Sequence, residues 1–238
     1  MRETLKRPRA VVVGLAAIAA AVIVVAIVAS IYIFGAGGAK TGAASGTVTV
    51  PTLAPTNGAT LFTIDSSSSK ATFTIDEVLF GNPNTVVGET DKVAGQFLVN
   101  AQDPSKSQVG EIKIDVSTLV TDNDLRNRTL QGRILQTDTA ANQYATFVAK
   151  SITGLPESIA VGQQVSFKIT GDLTIHQVMK TVAFDATVKA VSDKQITGTA
   201  STTVKYSDFG ISVPDVPSVT GLGEMVKLAL DFTANAGS

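Results

Sequence analysis

From residue 61 onward the chain alternates apolar and polar positions with a period of two. Ala71, Phe73 and Ile75 are interleaved with Thr72, Thr74 and Asp76, and Ile112, Ile114 and Val116 with Glu111, Lys113 and Asp115. The longest run sets Val165, Phe167, Ile169, Gly171, Leu173 and Ile175 against Ser166, Lys168, Thr170, Asp172, Thr174 and His176. Further runs carry Val93, Gly95, Phe97 and Val99, then Val182, Phe184, Ala186 and Val188, then Ala200, Thr202 and Val204, and finally Val226, Leu228, Leu230 and Phe232. Successive side chains on a strand point to opposite faces, so each of these strands has one apolar and one wet face. That is the pattern of an antiparallel sheet with a single buried side. Some eight such strands can close into a barrel and remove their exposed edges.

Three segments break the alternation. Thr121, Asp122, Asn123 and Asp124 are good helix N-caps, and Leu125 and Leu130 stand near helical spacing, which predicts a short helix over about 122–133. Gly210, Pro214, Pro217, Gly221 and Gly223 predict a long loop over 207–224. Ser66, Ser67, Ser68 and Ser69 predict a turn between two short strands.

The N-terminal quarter has a different pattern. Residues 10–34 carry no charge and are dominated by Val, Ile and Ala. As a helix they would measure about 37 Å, enough to cross a ~30 Å hydrocarbon core. Arg2, Lys6, Arg7 and Arg9 against Glu3 make the preceding residues 1–9 basic, which keeps that end cytoplasmic and puts the body on the other side. The alternative is a cleaved signal peptide, for which Gly35–Ala39 offer small residues; either way the body is exported. Residues 35–59, rich in Gly, Ala, Thr and Pro, read as a flexible linker, leaving 60–238 as the folded domain.

Composition narrows the function classes. The chain has no Cys and no Trp, and its formal net charge is −1 over 238 residues. The missing cysteines exclude disulfides, thiolate metal sites and thiol nucleophiles. A mildly acidic body with no basic stripe argues against nucleic acid as a partner. One histidine, His176, is present, and no serine sits in a Gly-x-Ser-x-Gly turn, so the common hydrolase arrangement has no starting point. His176 reads as a polar residue at a strand end or hairpin. Asp122-Asn123-Asp124 lacks the Gly and the terminal Glu of a calcium loop, and helix capping accounts for it. We therefore expect no catalytic residue, no metal and no cofactor. The apolar face remains, either as a packed core or as a cavity. Small residues on that face (Gly95, Gly171 and Ala186) would leave room and tilt the expectation toward a cavity.

Several segments, in order, resemble the YceI-like family of polyisoprenoid-binding proteins. They are Phe62-Thr63-Ile64-Asp65, Val93-Ala94-Gly95-Gln96-Phe97, Leu125-Arg126 through Arg133 to Thr137 with Ala145-Thr146-Phe147, Gly171-Asp172-Leu173-Thr174-Ile175-His176 with Lys180-Thr181-Val182, and Asp208-Phe209-Gly210-Ile211. The chain departs from that pattern at Gln177, where the family has Gly, at Asn142-Gln143, where it has Tyr-Pro, and before Asp208, where its Arg is absent and Lys205 is the nearest cation. The resemblance implies an all-β, closed, lipocalin-like antiparallel barrel holding a long isoprenoid chain of quinone or polyprenyl phosphate type, with no catalysis. Phe73, Phe97, Phe147, Phe167, Ile169, Leu173, Ile175 and Phe184 are then expected to line the cavity. Arg126, Arg128 and Lys205 would face a polar head at the entrance. The rivals are a packed structural or interaction domain without ligand and a lipid-modifying enzyme with His176 as base.

Overall fold

The computed structural model describes residues 47–54 and 58–237. The anchor expected over 10–34 lies outside the described residues, and among these no helix is long and apolar enough to cross a membrane.

Strands form over the alternating runs, and also over residues 82–90 and 144–153, which no run marked, and over 219–220 inside the expected loop. In chain order they are β1 (Thr60–Ile64), β2 (Lys70–Leu79), β3 (Asn82–Thr90), β4 (Val93–Ala94), β5 (Gln96–Val99), β6 (Gln108–Val109) and β7 (Ile112–Asp115). After a helical segment come β8 (Tyr144–Thr153), β9 (Gln164–Ile175), β10 (Val178–Ser192), β11 (Gln195–Lys205), β12 (Val219–Thr220) and β13 (Met225–Ala236). All join one curled antiparallel sheet, a half-barrel; ten follow the order β4-β7-β8-β9-β10-β11-β13-β1-β5-β6, and β2 branches from β13 with β3 and β12 paired to it. Gly95 alone separates β4, which pairs with β7, from β5, which pairs with β1. The first strand of the order and its penultimate one are thus one piece of chain joined at a glycine.

Strand β13 pairs with β11 along one edge and is long enough to serve two partners on the other. Its last residues pair with β1 and its first half with β2. Between β1 and β2 the chain makes a single 3-10 turn, Ser66–Ser68, and the serine run explains it. Asp65 Oδ1 accepts the Ser67 amide at 3.0 Å and the Ser67 hydroxyl at 2.7 Å. The buried Ser69 donates its hydroxyl to the Asp65 carbonyl at 2.7 Å and accepts the Thr233 amide of β13 at 3.1 Å. The turn therefore stays fastened to the sheet.

The predicted helix is present but changes pitch. α1 (Asp124–Thr129) starts on Asn123, whose side chain accepts the Leu125 and Arg126 amides at 2.9 and 3.0 Å, the N-cap bonding that satisfies orphan donors. Leu130–Ile134 then form a π turn, which turns Leu130 and Leu135 inward to pack with Val116, Leu119 and Ala145.

Two hairpins turn through left-handed residues without glycine at the first position. Phe80 (φ 50°) and Gly81 (φ 81°) join β2 to β3, and His176 (φ 51°) and Gln177 (φ 63°) join β9 to β10. Such two-residue turns favour Asn-Gly, because other side chains crowd the backbone at positive φ. Phe80 is 67% exposed and gains little burial in return. Phe80→Asn is therefore expected to stabilise the fold by about 1 kcal/mol, read as a rise in the midpoint of chemical denaturation with an unchanged slope.

Candidate functional site: the apolar inner face and its covered end

The register puts one side chain from every second position on the concave face. Phe184 stands opposite Ile169, Ala186 opposite Phe167 and Val182 opposite Gly171 across β9–β10. Ala200 stands opposite Leu230, and Phe73 opposite Leu228. Apart from Phe73, the apolar side chains among these positions join one cluster in which Phe62, Phe147, Ile169, Leu173, Phe209 and Phe232 are buried. A second cluster, under α1 and the π turn, shares Ile114, Ile175 and Ile211 with the first. The apolar interior therefore continues up to the helical cover.

The expected lining residues all belong to these two clusters. Phe147, Ile169 and Leu173 are buried, whereas Phe97, Phe167, Ile175 and Phe184 are half-buried against the first cluster and Phe73 against the second. The half-buried rings are not isolated. Phe147 meets Phe184 edge-on with centroids 5.0 Å apart, and Phe97 packs on Phe232 at 5.2 Å, separations typical of favourable aromatic pairs.

One expectation is corrected. Gly95 and Gly171 do not leave room, because neighbouring side chains already occupy the space. A Cβ on Gly171 would lie 2.7 Å from Phe147 Cζ and collide with the Val148 carbonyl, and one on Gly95 would lie 2.5 Å from Ile112 Cδ1. Gly88 sits under the Phe73 ring and Gly198 under the Phe232 ring in the same way, rings covering glycines across a strand pair. Accessible apolar surface lies instead at half-buried positions such as Phe97, Phe167 and Phe184.

At that end the sheet loosens. β10 and β11 pair from Asp185 and Ser201 to Ser192 and Gln195, but residues 178–184 of β10 have no partner in β11 among the described residues. The turn Tyr206–Phe209 packs there, with Phe209 only 1% exposed. Gly210 (φ 66°) takes the left-handed conformation that reverses the chain after it.

The expected headgroup cations are held by carboxylates. Arg126 bridges Asp122 at 2.6 Å and Glu77 at 3.2 Å. Glu77 is 7% exposed, points inward from β2, and also accepts Asn84 Nδ2 at 2.8 Å. Lys205 contacts Glu224 at 2.8 Å; this hydrogen bond raises the amine above the usual lysine range and holds Glu224 below the usual carboxylate range. Arg128 is exposed. Sequence reasoning missed Glu77, although the alternation Ala71, Phe73, Ile75, Glu77 already put a carboxylate on the apolar face.

His176 lies in the β9–β10 hairpin, as its sequence context suggests. Its Nε2 is buried with no hydrogen-bond partner among the described residues. The adjacent Gln177 donates to Asn142 Oδ1 at 2.8 Å. Two departures from the family pattern thus bind each other, and the bond holds Gln177 in a conformation that glycine would adopt without help. No group of three or more metal-binding side chains occurs among the described residues. A shallow depression of about 610 Å³ is lined by Gln164, Thr187, Thr197, Thr199, Asp231 and Phe232 among others.

A curled antiparallel sheet with an apolar concave face and a helical cover over one end defines a class of all-β folds. The model of the YceI-like domain matches residues 62–234, and the chain belongs to that family. Among solved structures it is similar to a polyisoprenoid binding domain from Saccharophagus degradans implicated in plant cell wall breakdown. The two share 17% identity with a TM-score of 0.58, covering 74% of this chain and 98% of that one. It is also similar to BcnA of Burkholderia cenocepacia, at 22% identity and a TM-score of 0.56, covering 72% and 99%. None of the curated proteins matches the chain in sequence.

Proposed function

We propose that this protein is an extracytoplasmic carrier, tethered by its N-terminal segment, that holds an apolar lipid of isoprenoid type against the inner face of its sheet. It binds its ligand without transforming it. The carrying observation is that large apolar side chains facing the interior, Phe97, Phe167, Phe184, Ile175 and Leu228, keep accessible surface. Covering such surface with an alkyl chain is worth about 25 cal/mol per Å². In this reading the sheet closes as a lipocalin-like barrel through the β4–Gly95–β5 strand, and the eight predicted lining residues face the chain of the ligand. The polyisoprenoid binding of the Saccharophagus degradans domain supports the choice of lipid.

The rings that fill Gly88, Gly171 and Gly198 favour a second reading, a packed structural domain with no ligand. Fluorescence separates the two, because the chain has no Trp. In the full-length Val148→Trp variant, whose substituted position is exposed on β8, retinol, an isoprenoid alcohol, should quench the single Trp by energy transfer and saturate at one molecule per chain. Quenching that never saturates, or none, would support the packed domain.

A further inference from the structure

We infer that His176 Nε2 is a polar subsite for the head of the ligand, and that this head is a neutral oxygen, hydroxyl or carbonyl, rather than a phosphate. The inference rests on the lipid-binding reading above and narrows it. A buried ring nitrogen without a partner loses its hydration on folding with nothing in return, a cost of about 1–3 kcal/mol that native proteins seldom leave uncompensated. The residues on either side of the turn, Ile175 and Val178, both pack against the apolar cluster, so the imidazole stands at the margin of the interior where a lipid chain would end. A ring nitrogen can donate to a carbonyl or exchange a hydrogen bond with a hydroxyl.

The charges at this end disfavour an anion. Arg126 is shared by two carboxylates, one of them the inward, buried Glu77, and Lys205 is paired with Glu224. A phosphate beside Arg126 would meet Glu77 at close range in a medium that screens little, and it would surrender its own hydration. Arg128 and Lys180, also at this end, are exposed to solvent, as is Arg133 in the π turn.

The test is a competition panel against retinol, read by the Trp signal in the full-length Val148→Trp protein, whose substituted position is exposed on β8 and outside the lining set. The competitors share one tail: geranylgeraniol, its monophosphate, a naphthoquinone with the same chain, and the hydrocarbon without oxygen. The alcohol and the quinone should bind about tenfold more tightly than the hydrocarbon, and the monophosphate no more tightly than the alcohol. His176→Asn keeps a residue that tolerates the left-handed turn but shortens the side chain, and His176→Ala removes the ring. In both, the advantage of the oxygenated ligands over the hydrocarbon should vanish while hydrocarbon affinity holds. An unchanged advantage in His176→Asn, or a monophosphate that outcompetes the alcohol tenfold and loses that edge in Arg128→Ala or Lys180→Ala, overturns the inference and leaves lipid binding standing. Failure of every competitor, hydrocarbon included, overturns the lipid-binding reading and this inference with it.

Discussion

Gly171→Ala should destabilise the domain by about 3 kcal/mol, an effect far beyond that of an ordinary methyl addition. The added Cβ would face the Val148 carbonyl, Phe147 Cζ at 2.7 Å and Ala149 Cα at 2.9 Å. Two of those three atoms are backbone of β8, which pairs with β9 through Ala149 and Gly171. The third belongs to a ring already wedged against Phe184. Nothing flexible is available to yield, so the strands must separate. For a domain of this size the loss corresponds to a fall in Tm of about 6–12 °C. Gly132→Ala is the matched control. It lies in the π turn with nothing within 4 Å of its Cβ, and a helical Gly→Ala change there should leave stability unchanged or raise it by about 0.5 kcal/mol. Equal effects at both sites would show that the ring of Phe147 does not occupy the space over Gly171.

Removing Arg126 should be nearly as costly, for an electrostatic reason. Arg126→Met leaves Glu77 buried on the apolar face with Asn84 as its remaining partner, and an uncompensated buried charge typically costs 3–5 kcal/mol. Because the Arg126 side chain is one-quarter exposed, about 3 kcal/mol is the expected loss in chemical denaturation. Adding Glu77→Gln to the same chain removes the charge and should recover most of it. Lys205→Met breaks a pair whose members are 45% and 70% exposed and should change stability by less than about 1 kcal/mol. A small Arg126→Met effect would place Glu77 among solvated carboxylates.

Alternation carried the strands because one face of each is buried. The runs 165–175, 182–188 and 226–232 became the central parts of β9, β10 and β13. Caps and breakers were equally legible, since Asn123 caps α1 and the proline- and glycine-marked stretch contains only the short turn Tyr206–Phe209 and strand β12. The π turn was not legible, because Leu125 and Leu130 satisfy a plain helix as readily.

Long-range contacts were the harder part. The composition of the inner face suggested space at Gly171, and only the cross-strand register reveals that Phe147 fills it. The Glu77–Arg126 pair joins residues 49 positions apart, which no local pattern signals. The bond between Gln177 and Asn142 likewise unites two positions that each look like an isolated departure from the family.

The central claim is that the interior of this domain holds a lipid. Its most direct test is the full-length protein purified from the membrane fraction of its own cells, extracted with organic solvent and analysed by mass spectrometry. A prenyl-chain lipid recovered near one per protein, depleted after Val148→Trp protein has been saturated with retinol, is the result expected here. Protein that emerges from the membrane free of extractable lipid, with retinol equally unable to enter it, would contradict the account.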